Sequence, residues 1–182
     1  MRDDLRKYFI IEENKKENKG VDNMEIKIKY VDDSAKRLEI NEKGNFIDVY
    51  AFEDIFVPYM GYGMVHLGFA MELPKGKIAQ LVPRSSTFKT WGVIQTNHCG
   101  IIDETYCGNE DYWRLPVQCT MAKETIKTKV EGQKVTMMGT WIRKGDKIAQ
   151  FQIVDAMKMP TFVEVDDLGN EDRGGFGSTG SK

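Results

Sequence analysis

Cysteine is scarce, an excess of either charge sign is missing and long apolar runs are absent from this chain. The three cysteines, Cys99, Cys107 and Cys119, are an odd number without metal-type clustering, which argues against a disulfide framework or a zinc site. Lys+Arg 26 against Asp+Glu 28 leaves a net charge of −2, so the strongly basic face that indiscriminate nucleic-acid binding needs is not available. No apolar stretch approaches the roughly 20 residues that cross a bilayer. The opening Met1-Arg2-Asp3-Asp4 lacks the apolar core and small-residue cleavage site of a secretory signal. These absences predict a reduced, cytoplasmic protein with no membrane association and no direct nucleic-acid contact. What is present is an ordinary soluble balance: 182 residues, 41% of them apolar, suit a single core.

The chain divides into three parts. Residues 1–23 read as a flexible charged extension, with Lys15-Lys16-Glu17-Asn18-Lys19-Gly20 at their centre. Residues 24–165 form the body, and the glycine-rich residues 166–182 a flexible C-terminal arm. In the body, Glu25–Tyr30 and Ile47–Ala51 alternate polar and apolar, the period of a half-buried strand. Further strands are expected over Met64–Leu73, Lys77–Val82, Tyr112–Met121, Thr125–Val130, Val135–Ile142 and Lys147–Val154, with turn residues such as Pro74-Lys75-Gly76 and Lys144-Gly145-Asp146 between them. Many short strands and no helical stripe beyond one turn after Arg84-Ser85-Ser86 predict an all-β sandwich, jelly roll or small barrel. Residues 125–141 read as an inserted hairpin around Glu131-Gly132-Gln133, whose Met137, Met138 and Trp141 call for a packing partner: the body or another protein.

Four segments interrupt the strand pattern. Pro83-Arg84-Ser85-Ser86 offers a guanidinium fork, two hydroxyls and helix-start amides to an anion; a serine N-cap beside a solvated arginine is the plainer alternative. In Asn97-His98-Cys99-Gly100-Ile101-Ile102-Asp103-Glu104-Thr105-Tyr106-Cys107-Gly108, two glycines bracket an apolar run from which Asp103 emerges near Tyr106. Such a loop can give a base its backbone bonds, a sugar an aromatic face and a water a carboxylate, or it can be merely a turn. Gly145-Asp146-Lys147-Ile148-Ala149-Gln150 is a turn entering a strand, with Gln150 facing either a polar site or nothing in particular. Arg173-Gly174-Gly175-Phe176-Gly177-Ser178-Thr179-Gly180 is either a linker or a phosphate-cradling loop with a stacking ring.

In this order, with Asp48 in Phe46-Ile47-Asp48-Val49 as a first motif, the segments match the five motifs of the trimeric dUTPase family, which the chain resembles from about Met24 to Gly180. The combinations Glu72-Leu73-Pro74 and Glu171-Asp172-Arg173 are most similar to phage and Gram-positive members. The resemblance implies a jelly-roll-like homotrimer with three shared active sites. Its activity would be Mg²⁺-dependent hydrolysis of dUTP to dUMP and pyrophosphate, limiting uracil incorporation into DNA and supplying dUMP for thymidylate synthesis. By the same analogy Asp103 orients the attacking water, Tyr106 packs on the deoxyribose, and Asn97 with the backbone of Gly100 and Ile102 reads uracil. Arg84, Ser85, Ser86 and Gln150 hold phosphates, and Asp48 contacts the metal through water. Phe176 covers the base while Arg173, Gly177, Ser178 and Thr179 close on the phosphates. Only Gly174 and Gly175 separate Arg173 from Phe176, fewer than the family usually has, so Tyr112 or Trp113 is an alternative cover. Cys107 stands where a basic residue is common. A dCTP deaminase of the same superfamily is the nearest alternative activity, but it lacks such an arm; a dUTPase-like trimer acting mainly through a regulatory protein is the other.

Overall fold

The computed structural model describes residues 24–41 and 43–174, so Phe176, Gly177, Ser178, Thr179 and the extension 1–23 lie outside the described residues. The chain forms β1 (Lys27–Tyr30), β2 (Ile47–Tyr50), β3 (Ile55–Pro58), β4 (Tyr62–His66), β5 (Phe69–Glu72), β6 (Lys77–Pro83), α1 (Thr87–Trp91), β7 (Val93–Gln95), β8 (Gly100–Asp103), β9 (Arg114–Cys119), β10 (Glu124–Val130), β11 (Gln133–Ile142) and β12 (Lys147–Asp155). The expected all-β class and the single helical turn after Ser86 are both found. Among the described residues the strands pair antiparallel in four sheets: β1-β5, β10-β11-β3, β2-β12-β6-β8 and β4-β9-β7. No described helix is long and apolar enough to cross a membrane.

The sheets close on an aromatic centre. The rings of Phe69, Trp113 and Phe151 meet at centroid distances of 5.0 and 5.1 Å through Trp113, and Val49, Leu81, Leu115, Ile142 and Ile148 pack around them, fully buried. Trp113 is therefore a core residue and is not available to cover a ligand. Tyr112 points the other way, its ring 5.2 Å from that of His66.

The strands differ from the sequence reading in two respects. Met64–Leu73 is not one strand but two, because Gly68 takes φ +80° and its missing Cβ lets the Phe52 ring approach to about van der Waals contact. The backbone of Trp113 bridges the break, donating to the Phe69 carbonyl and accepting from Leu67 N–H. β3 and β7 carry no extended alternation and were not expected. The hairpin is formed by β10 and β11 around Glu131-Gly132, both at positive φ (48° and 81°), the twist that a two-residue hairpin turn requires. Only its root joins the body, Gly139–Ile142 pairing with Ile55–Pro58. Beyond β12, residues 156–174 join no strand or helix, and Met157, Met159, Phe162 and Leu168 stand exposed.

His66 lies between the rings of Phe52 and Tyr112, and its Nδ1 accepts the Gly68 N–H at 2.9 Å. Burial holds its pKa below the ordinary 6.5, Arg114 pushes the same way and Glu53 opposes them. The unfolded chain therefore takes up this proton first, so the contribution is complete above about pH 6.5 and is lost as pH falls below that value. We expect urea midpoints to fall between about pH 7.5 and 5, and His66→Gln, which keeps an acceptor but does not titrate, to flatten that fall. An unchanged slope in the variant would assign the effect to other groups.

Candidate active site

Two clusters form on one sheet. At one end β12 places Gln150 between Asp48 of β2 and Val82 of β6. Asp48 Oδ1 pairs with Arg84 Nε at 2.9 Å and its Oδ2 with Lys147 Nζ at 3.1 Å. Ser85 is exposed and Ser86 sits at the N-cap of α1, yet Ser86 makes no side-chain capping bond. The cap-like work falls to Thr87, whose hydroxyl accepts the Arg84 N–H at 2.9 Å and donates to the Ile148 carbonyl at 2.8 Å. Trp91 Nε1 donates to Asp146 Oδ2 at 3.1 Å, and Asp146 also accepts the Arg143 N–H. The Arg84-Ser85-Ser86 turn and the Gly145–Gln150 turn are thus fastened together, leaving the two serine hydroxyls at the surface.

At the edge of the sheet β8 pairs with β6, Gly100 opposite Leu81, next to the Val82 row of Gln150, and Asp103 opposite Ile78 at the far end. Gly100 is buried; a Cβ there would press on Leu81 Cβ at 3.3 Å and Gln95 Nε2 at 3.5 Å. Gln95, itself buried, donates from Nε2 to the Leu81 carbonyl and to Asn97 Oδ1, while its Oε1 has no partner. Asp103 emerges at the strand end, where its carboxylate accepts the hydroxyl and the N–H of Thr105. The hydroxyl bond first, and the backbone bonds of Thr105 and Tyr106 after it, hold the Asp103 pKa below the ordinary carboxylate value. The group is charged throughout the neutral range. Asp103, Tyr106, Ile101 and Ile102 line an open groove of ≈ 430 Å³ with Tyr112 and Arg114, and the Tyr106 hydroxyl donates to the Tyr112 carbonyl at 3.4 Å.

The two clusters share a face but not a position. Side chains of directly paired residues point to the same side of a sheet, so Asp48, Gln150, Val82, Ile78 and Asp103 all face one way. Asp103 nevertheless lies roughly 13 Å along the strands and about 10 Å across them from Gln150. The structure thus gathers Asp48, Arg84, Ser85, Ser86 and Gln150 at one end, sets Gly100, with Asn97 in the loop before it, on the edge strand within one residue of the Gln150 row, and carries Ile102, Asp103 and Tyr106 toward the other end. Arg173 is exposed outside both. Lys147, Gln95 and Thr87 were not singled out from the sequence. Lys147 stands inside the Gly145–Gln150 segment, but period-2 alternation places it on the face opposite Gln150; Gln95 and Thr87 carry no local signal.

Among the described residues no three His, Cys, Asp or Glu side chains converge to hold a metal ion. That donor set suits Mg²⁺ carried in by phosphates, which keeps most of its water and needs one or two carboxylates, and does not suit a resident all-protein cage.

Comparison with known proteins places the chain among relatives of one family. The dUTPase family model matches residues 41–111. The chain is 45% identical over 159 residues to the SPbeta prophage-derived deoxyuridine 5'-triphosphate nucleotidohydrolase YosS of Bacillus subtilis, covering 87% of this chain and 100% of that one. In fold it is similar to the dUTPase of Staphylococcus bacteriophage 80alpha with dUPNHPP (TM-score 0.68, 20% identity, 86% of this chain and 99% of that one). It is also similar to a dUTPase from phage phi11 of S. aureus that coordinates a structural Mg(II) ion (TM-score 0.63, 17% identity, 80% and 99%).

The tether through Thr87 is testable on its own. Thr87→Val keeps the shape but deprives a buried carbonyl and an amide of their partner, a loss of about 1–3 kcal/mol. For a chain of this size each kcal/mol moves Tm by about 2–4 °C. Calorimetry should find a drop of several degrees; a Tm within about one degree of the parent would show that the hydroxyl fastens nothing.

Proposed function

We infer that these residues divide the work of nucleotide hydrolysis between two clusters, from the premise that this chain belongs to the dUTPase family and converts dUTP and water to dUMP and pyrophosphate. Asn97 and the backbone of Gly100 and Ile102 read the uracil, and Tyr106 packs on the deoxyribose. Asp103 orients the attacking water in line with the scissile phosphorus. As a weak base it contributes alignment and a negative field more than outright proton abstraction, and Thr105 fixes the direction it faces. Arg84, Ser85, Ser86 and Gln150 hold the phosphate chain. Arg173, Phe176, Gly177, Ser178 and Thr179 close over it and exclude bulk water. The observation that carries this assignment is the ionised, doubly hydrogen-bonded Asp103 carboxylate at the edge of an aromatic-lined groove.

Mg²⁺, when bound, neutralises phosphate charge and polarises the bond to the leaving pyrophosphate. Asp48 would meet it through a water, since each of its oxygens keeps a lone pair beyond the ion pair it makes.

The separation of the clusters supports a site shared between copies. Within one chain Asp103 and Gln150 are farther apart than the α-phosphorus of a nucleotide is from its own γ-phosphate. A homotrimer that sets the Asp103 edge of one copy against the Arg84 cluster of its neighbour removes the gap. Its setting is the cytoplasm, where the nucleotide pool lies. The hairpin tip offers a further surface to a protein partner, with Lys127, Lys129 and Lys134 on one face of a ribbon that leaves the body beyond Gly139.

Pyrophosphate release from dUTP, dCTP, dTTP and UTP with Mg²⁺, alongside ammonia release, separates hydrolysis from deamination. Asp103→Asn keeps the shape and loses the charge, and loss of such assistance lowers rates by about 10²–10⁴-fold. We expect that loss in kcat while affinity for dUPNHPP changes little. Near-normal turnover in the folded variant would remove Asp103 from the mechanism.

A further inference from the structure

We propose that Lys147 is a phosphate-binding cation of this site and that Asp48 is the residue that positions it, together with Arg84; the proposal rests on the assignment of this cluster to the phosphates.

The starting observation is a bulge. In a regular strand residues three apart face opposite sides, so Lys147 and Gln150 belong on opposite faces. Here Lys147 pairs with Tyr50 and Gln150 with Asp48, and the register slips between Lys147 and Ala149. Tyr50 and Asp48 are two apart on β2 and share a face, so their partners share it too. One extra residue on β12, Ile148, makes the difference. Ile148 and Ala149 are consecutive, yet both are fully buried, as alternation forbids and a bulge allows. The bulge thus turns Lys147 out of its expected place and onto the face that holds Asp48, Gln150 and Arg84.

The ion pairs then aim it. Asp48 divides its two oxygens between Arg84 Nε and Lys147 Nζ, and Arg84 Nη1 reaches the Lys147 carbonyl at 3.4 Å. Two cations against one carboxylate leave this corner with one net positive charge, directed at a polyanion. The three side chains are 27–46% exposed, accessible to a ligand without being free in solvent. A decorative surface ion pair would leave Lys147 dispensable, with any effect below about fivefold. A positioned cation makes a charge-assisted bond to phosphate, whose loss lowers affinity by about 10–100-fold. Asp48 acts through the two cations, so its loss should reduce alignment and not abolish attraction.

The test compares ligands that differ only in the phosphates beyond the first. Wild-type turnover of dUTP is read first. In Lys147→Gln, calorimetric affinity for dUPNHPP should fall about 10–100-fold while affinity for dUMP stays within about twofold, and Lys147→Arg should restore the triphosphate affinity. In Asp48→Asn, kcat should fall, and Lys147→Gln added to it should lower the rate by less than it does alone. Unchanged dUPNHPP affinity in Lys147→Gln, or equal losses for dUMP and dUPNHPP, overturns the proposal in a protein that still hydrolyses dUTP. Additive losses from Asp48→Asn and Lys147→Gln leave that carboxylate to the metal alone and overturn its positioning role.

Discussion

Strand β12 runs between β2 and β6 with one residue more than β2 can pair, and the placement of the phosphate cluster depends on that mismatch. Ile148 and Ala149 both turn inward, so the strand adds two successive side chains to the core before Phe151 reaches the Trp113 ring. The Ile148 carbonyl accepts the Thr87 hydroxyl, which in turn receives the Arg84 N–H. A feature of the core therefore sets where an arginine backbone lies at the surface. Close packing leaves little room for it to shift, because a change of one methylene in such a core is felt throughout.

The electrostatics follow the same economy. The substrate is a polyanion, but the described phosphate cluster offers only two cations, and one carboxylate offsets one of them. Greater positive charge would hold a triphosphate tightly before and after reaction alike, which lowers KM without helping the chemical step. At the other end of the sheet Asp103 is kept ionised by a neighbouring hydroxyl and amides, not by a cation. Its field is therefore not neutralised where the water must be aligned. A positive corner and a negative edge on one face are thus opposite in sign.

Much of this was legible in the sequence, and what was not has physical causes. The strands over Ile47–Tyr50, Lys77–Pro83 and Lys147–Asp155 show in their alternation because one face is buried and the other is not. β3, Ile55-Phe56-Val57-Pro58, is apolar throughout and β7 is only three residues long, so neither shows a period. The order of the motifs named Asp103, Tyr106, Arg84 and Gln150, since chemistry constrains their types. It did not name Lys147, because a bulge is invisible to a two-residue period. Nor did it separate Tyr112 from Trp113, adjacent aromatics of which one lines the groove and the other fills the core. Ser86 looks like a helix cap by type but makes no capping bond; the turn is tied instead by Thr87, whose buried hydroxyl reaches a strand far away in sequence.

Gln95 extends the same logic to the base-reading end. An amide in a core strand is costly, the more so with Oε1 unpartnered, a penalty of about 1–3 kcal/mol. A leucine would fill the volume more cheaply. Its Nε2, however, joins the carbonyl of Leu81 on β6 to the side chain of Asn97 in the loop before β8. That single group refers the Asn97 amide to the sheet that carries Gln150 one position beyond the Leu81 row. Stability is given up at Gln95 for a fixed relation between the Asn97 loop and the strands β6 and β12. The Asn97 side chain is thereby held by the same sheet that carries Arg84 and Gln150.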